Sequence, residues 1–383
     1  MIESAGQIYD SPDNNPATRM NHPVKFLPSV VILRGVAALL VVCTHVAGRE
    51  PYAIFNQYFG WCRTYDIGFF GVVCFFVISG FALSHSLGDD YVAKGFGRFM
   101  ARRLVRIEPT YFASILFTCL LTIVLTRISP NGIPWLPTGR QLICHALYLV
   151  PFTQTEWITP AYWTLAVEFQ FYLAIGLLYP SLLRAGRKSG FGIPLCVVLF
   201  ASLSFLAPLC PPLKLLKYSP FFALGILLER QLSNPMPGWL LYGTVAVVGG
   251  MAAASKILWP VFGTATGVLT FLIILYWNPE FKGGNRLAKL ALFLGTISYS
   301  WYVTHQPIAA AGESAARFLL KLRHFPGQLL AVNLVPVASF AATILAAWLL
   351  YLLVEGPTHR LARKITLRPE PDPALPEIPT ALP

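Results

Sequence analysis

The stretch LRGVAALLVVCTH, Leu33 to His45, sets the problem of this chain: ten apolar or small residues lie between an arginine and a histidine. Continuous apolar character of this kind, flanked by further apolar residues, reads as a helix of bilayer-spanning length. With about 1.5 Å of rise and 100° of turn per residue, eleven steps return Arg34 and His45 to nearly one face, about 16 Å apart. Two polar groups on one face of a membrane helix are expected to look into one buried cavity.

The rest of the composition extends this reading to the whole chain. Hydrophobic residues make up 55% of the 383 residues and charged residues only 12%, and the mean hydropathy is +0.60. Those values are far from a soluble globular average and imply an all-α, polytopic transmembrane bundle. Apolar runs fall near 30–47, 67–86, 110–127, 162–183, 191–209, 217–232, 238–254, 258–277, 290–311 and 330–354, which gives ten expected spans. Residues 1–29 lack the basic and small-residue pattern of a cleavable signal and read as a cytoplasmic tail. Residues 30–364 form the membrane domain, and 365–383, which include RPEPDPALPEIPTALP from Arg368, read as a proline-rich disordered cytoplasmic tail.

Charge distribution sets the expected orientation. The net charge is +12, but the basic residues gather beside apolar runs, so membrane lipid rather than nucleic acid is the expected partner. KGFGRFMARRLVR is the most basic connection and is assigned to the cytoplasm, as are Arg184 to Lys188, Lys282 to Lys289 and Arg360 to Lys364; both termini then lie inside. The loop KLRHFP is the exception, basic yet placed outside. RQLICHALYLVPF, Arg140 to Phe152, is short for a span and reads as re-entrant or interfacial. The seven cysteines are scattered without C-x-x-C pairs, so neither a disulfide framework nor a metal site is expected.

Several residues stand out chemically, each with a structural alternative. Arg34 reads equally as a cytoplasmic snorkelling anchor or as a functional cation. His45 reads as an interfacial histidine or as a general base. Ser79, with Gly71 and Gly80, falls in a helix whose small residues permit close packing. Arg103 and Arg106, three apart beside Arg98 and Arg102, could clamp phosphate bidentately or contact anionic lipid. Glu168, between Trp163 and Tyr172, needs a partner at its depth, with Arg34 or His45 as candidates, or serves as a polar staple. His85, His145 and His305 are ambiguous; His22, His324 and His359 fall in expected loops or tails. Glu355 is expected to cap a helix end or pair with Arg360.

Taken in order, LRGVAALLVVCTHV, FFGVVCFFVISGF, RRLVRIEPTY, WTLAVEFQFY, ISYSWYVTHQPI and VEGPTHRLARK resemble the membrane acyltransferase family 3, from about Lys25 to Arg363. Threonine after Trp163 replaces a commoner serine. The resemblance implies an acyl-CoA-dependent O-acyltransferase, with acetyl-CoA as the expected donor and a bacterial surface carbohydrate as acceptor, in the inner (plasma) membrane. It implies that His45 is catalytic, that Arg34 supports it, that Glu168 belongs to the buried polar site and that Arg103 and Arg106 handle the CoA moiety. His305 occupies the family's H-x-P position; Arg102, Trp163, Tyr172 and Ser79 are further candidates. Glycan-biosynthesis proteins are expected partners. A small secondary metabolite as acceptor, or a transporter or flippase without acyl transfer, are the alternatives.

Overall fold

The structure is a computed structural model and describes residues 27–49, 51–128, 136–255, 259–279, 285–322 and 326–365. Residues 1–26 of the expected tail 1–29, residues 366–383 of the expected tail 365–383, Lys282, and His324 of the KLRHFP loop lie outside the described residues. Among the described residues the chain is helical, without strands. In order, the helices are α1 (Pro28–Val46), α2 (Ala53–Phe59), α3 (Trp61–Thr64), α4 (Ile67–Leu87), α5 (Phe96–Ile128), α6 (Gly139–Ala146), α7 (Trp163–Lys188), α8 (Gly192–Ser202), α9 (Lys214–Ser233), α10 (Gly238–Ala254), α11 (Pro260–Tyr276), α12 (Arg286–Thr296), α13 (Ser298–Lys321), α14 (Gln328–Leu350) and α15 (Gly356–Arg363).

The described apolar runs are largely helical, but the expected span 290–311 is divided between α12 and α13 at Ile297, and 191–209 ends in a 3-10 stretch, Leu203–Leu209. Among the described residues, six stretches are long and apolar enough to cross a membrane: 28–46, 67–87, 93–127, 160–188, 192–209 and 328–363. α10 and α11 are apolar but shorter, at 17 residues each. α6 has eight residues, about 12 Å of helix, too little to cross a hydrocarbon core of about 30 Å. It starts sharply because Thr138 accepts from the Gln141 N–H while the Gln141 side chain accepts from the Thr138 N–H, a reciprocal capping box.

A further boundary differs from the sequence reading. The basic stretch before Pro109 and the apolar run after it form the single 33-residue helix α5, about 50 Å long. Proline removes one backbone donor, but packed neighbours re-satisfy freed carbonyls inside a bundle, and a helix can continue through it. The Tyr299 hydroxyl donates to the Ile107 carbonyl at 3.1 Å, beside the proline.

α4 and α9 lie at the centre. Every residue of α9 from Tyr218 to Arg230 is buried, as expected of a helix that is apolar all round. The two helices approach at Gly80 and Gly225: a Cβ on Gly225 would lie against the Val77 carbonyl and 2.7 Å from the Gly80 Cα. Both neighbours are backbone, so only glycine fits at this crossing. Aromatic rings fill the space beside it, with Phe222 4.1 Å from Phe171 and 4.8 Å from Phe76, centroid to centroid.

Candidate active site

α1 and α13 frame the site and run in the same direction. Arg34 Nε donates to Ser298 Oγ at 3.2 Å, His45 faces His305 with ring centroids 4.9 Å apart, and Arg49 pairs with Glu313 at 2.5 Å. Positions that advance along one helix therefore meet positions that advance along the other. Arg49 Nε also donates to the His45 carbonyl at 2.5 Å, which fixes the end of α1.

The histidine pair has a defined proton arrangement. His45 Nδ1 lies 2.8 Å from the Val41 carbonyl, and a carbonyl only accepts, so Nδ1 carries the hydrogen and Nε2 of the neutral ring keeps its lone pair. The same logic applies to His305, whose Nδ1 is 2.6 Å from the Tyr302 carbonyl. His305 Nε2 is then an acceptor, and it lies 3.4 Å from the His45 Nδ1–H. His305 is completely buried, whereas His45 is half-buried.

A cavity of about 110 Å³ opens below this pair. Its wall carries Arg34, Arg103 and Arg106 together with Ser79, Glu168 and Tyr172. Ser79 donates to Glu168 at 3.1 Å. Arg103 is buried; one guanidinium nitrogen donates to Ser86, and its Nε has no partner among the described atoms. Arg106 Nε donates to His359 Nε2 at 3.3 Å. Arg103 and Arg106 thus share a helix face as their spacing required, on the long helix α5, and both reach the cavity.

Tyr302 lines this cavity and joins it to the histidines. Its hydroxyl accepts from Thr164 at 2.7 Å and donates to the Ala161 carbonyl at 3.1 Å, and its ring packs on His305 at 5.7 Å. Gln306 accepts from the Ala161 N–H at 2.8 Å. The start of α7 is therefore held level with the histidine pair, while Arg34, Arg106 and His359 mark the other end of the cavity.

Two expectations need correction. Arg34 and His45 share a face of α1, but only Arg34 lines the cavity; Tyr302 and His305 of α13 stand between, so the two groups communicate through a neighbouring helix. Glu168 takes Ser79 as its partner rather than Arg34 or His45, because α4 packs directly on α7 at this level. Among the other candidates, Tyr172 and Ser79 line the cavity, Trp163 turns to a different cleft, and Arg102 is half-buried outside the lining.

His359 and Glu355 were not singled out by the sequence for this role. A π-helical turn, Tyr351–Glu355, links α14 to α15, and such turns redirect side chains. Here it turns Glu355 inward to complete burial, where it accepts from the Ser300 hydroxyl at 2.6 Å and the Ser300 N–H at 3.1 Å instead of pairing with Arg360. His359, one turn further, is 3.6 Å from Glu355 and lines the cavity rather than standing in solvent. Pro357, which cannot donate to the helix ladder, was the available signal for the irregular turn. His85 and His145 belong elsewhere: His85 stacks on Phe81 and approaches Glu229 at 3.6 Å, and His145 bonds Tyr111 at 2.6 Å and accepts from the Ile158 N–H at 3.1 Å.

A bundle with membrane-length apolar helices around a buried cavity lined by arginines, with an oriented histidine pair nearby, defines a polytopic membrane protein with a candidate active site. The chain belongs to acyltransferase family 3: the family model described as an acyltransferase domain matches residues 27–352. It is similar to the acyltransferase MdmB of Streptomyces mycarofaciens, at 27% identity, with 92% of this chain and 97% of that protein covered. No solved structure matches it. The protein is thus an acyl-transferring enzyme of the membrane. Among the described residues there is no cluster of side chains that could hold a metal ion.

Proposed function

We propose that this enzyme moves an acetyl group from cytoplasmic acetyl-CoA to a hydroxyl of a cell-surface carbohydrate, in the inner membrane of a bacterium. In this reading the chain crosses the membrane ten times with both termini inside, and glycan-biosynthesis proteins hand over its acceptor. The observation that carries the reading is the continuity from the arginine-lined cavity, through Tyr302 and His305, to the imidazole of His45.

Arg103 and Arg106 hold the phosphates of the donor, since each guanidinium offers a planar fork of donors. The thioester lies toward Tyr302. His45 Nε2 removes the acceptor hydroxyl's proton as its oxygen attacks the thioester carbonyl. The C–S bond then breaks, and the proton passes from His45 to the departing thiolate. During the step the His45 Nδ1–H keeps donating to Val41 and His305, so the imidazolium forms in a site already polarised to receive it. Arg34, at the end of the cavity away from the histidine pair, adds to the positive charge that holds the donor's phosphates.

The test is acceptor-dependent release of CoA from labelled acetyl-CoA by purified protein in nanodiscs, with the ester then found on the saccharide by mass spectrometry. CoA-independent solute flux in sealed vesicles, with no ester formed, would overturn the reading in favour of transport.

A further inference from the structure

A second cleft, of about 650 Å³, lies beside the first, between the starts of α7 and α9, the 3-10 stretch Leu203–Leu209 that follows α8, and the end of α10. Its volume falls within the range of small-molecule sites, about 300–1,000 Å³. Lys214 and Lys217, one turn apart on α9, both line it, with Trp163 and Tyr218. The Lys214 ammonium lies 5.9 Å from the Trp157 ring and 5.8 Å from Trp163, and that of Lys217 lies 5.8 Å from Tyr218. Neither lysine forms an ion pair with an acid among the described residues. Ser204 also lines the cleft; it is only 4% exposed, and its hydroxyl has no partner among the described atoms. A buried hydroxyl without a partner and two uncompensated cations ask for an anionic, hydrogen-bonding occupant.

The cleft shares a wall with the catalytic cavity. Phe76 lines the cavity and packs on both Trp163, at 6.3 Å, and Tyr218, at 5.1 Å. Trp163 and Thr164 are consecutive, the first facing the cleft and the second the cavity. Because the start of α7 is tied to Tyr302 and Gln306, this wall stands at the level of the histidine pair and away from Arg34, Arg106 and His359. One compartment is thus arginine-rich and the other lysine-rich and aromatic, and Thr164 of the shared wall bonds Tyr302, whose ring packs on His305.

Resting on the acyl-transfer reading above, we infer that the second cleft is the acceptor site, and that the acceptor is a hydroxylated ring compound bearing a carboxylate or phosphate. Lys214 and Lys217 hold the acidic group, Ser204 bonds a ring hydroxyl, and Trp163 and Tyr218 cover a ring face. Aromatic faces suit the apolar C–H side of a sugar ring, as they suit cations at their π surface.

The experiment compares methyl glucuronide and glucose 1-phosphate with methyl glucoside as acceptors, in nanodiscs of neutral and of anionic lipid. Losing charge-assisted hydrogen bonds costs a factor of about ten or more in binding. The double variant Lys214→Gln/Lys217→Gln is therefore expected to lower the ratio of kcat/KM for acidic over neutral acceptor by about tenfold. The double variant to arginine is expected to keep the ratio. Tryptophan fluorescence measured with the same saccharides and no acyl-CoA gives binding alone, with Trp163→Phe as the control for signal origin. Equal use of the three acceptors, or a ratio untouched by the glutamine variant, overturns the inference. So does an effect of the lysines seen only with anionic lipid, which would make them headgroup contacts. If acidic saccharides bind preferentially but no acyl transfer occurs with any acceptor, the proposed reaction fails while the anion site stands.

Discussion

Replacing His305 separates orientation from proton transfer. Its Nε2 is 3.4 Å from the His45 Nδ1–H, while that hydrogen's stronger partner, the Val41 carbonyl, is at 2.8 Å. His305→Phe removes the weaker acceptor and keeps a buried ring, so the Nδ1–H tautomer of His45 survives. A hydrogen bond to a charged group is worth about 1.5–3 kcal/mol, and the long contact argues for the lower end. Because imidazolium forms only as the reaction proceeds, the loss falls on the transition state: kcat is expected to drop about tenfold, with KM for acyl-CoA unchanged. His305→Gln, which can still present an acceptor, is expected to recover part of it. Steady-state kinetics on purified variants, with melting temperature and elution profile as fold controls, give the answer. A His305→Phe enzyme with full kcat, or a loss appearing wholly in KM, would refute the reasoning.

Other perturbations bear on the same architecture. His45→Ala should lower kcat by about 10²–10⁴, the usual contribution of a positioned acid–base group, and wild-type ester formation at equal membrane abundance would remove it from the reaction. Arg103→Lys should raise KM for acyl-CoA, since a point charge cannot reproduce a fork of donors; an unchanged KM would return this arginine to a packing role. Gly225→Ala should destabilise the bundle by about 1–3 kcal/mol through overpacking of backbone on backbone, seen as a lowered thermal midpoint in detergent. His145, in the short non-spanning segment, is held neutral because burial lowers its pKa to about 4. Its folded value lies below the free value of about 6.5, so its contribution is complete above that pH and is lost as the pH falls toward 4. A thermal midpoint that declines over this window in the wild type, and less in His145→Gln, is the expected result.

Much of the fold was legible because a bilayer imposes long apolar helices, and a run of apolar residues announces one. The same constraint blurred boundaries. Pro109 looks like a terminator in sequence, yet α5 passes through it, since stability here depends on tertiary partners that no local pattern encodes. Arg34, Arg103, Arg106 and Glu168, singled out in the sequence as charges in or beside apolar runs, all line the cavity. His359 was missed because its sequence neighbours are polar, and only the π turn before it shows that the segment points inward. The partner of Glu168 was misassigned for a related reason: periodicity gives faces of one helix, whereas choosing Ser79 requires knowing which helices adjoin.

α13 supplies Ser298 to Arg34, Ser300 to Glu355, Tyr302 to Thr164, His305 to His45 and Gln306 to the start of α7. One rod thus carries the reference marks against which three other segments are aligned, over about two turns of helix. A slip of that rod by a single residue would rotate every mark by about 100° at once. Binding at the arginine end and proton transfer at the histidine end are therefore geared together, and damage anywhere along this short stretch should be felt at both.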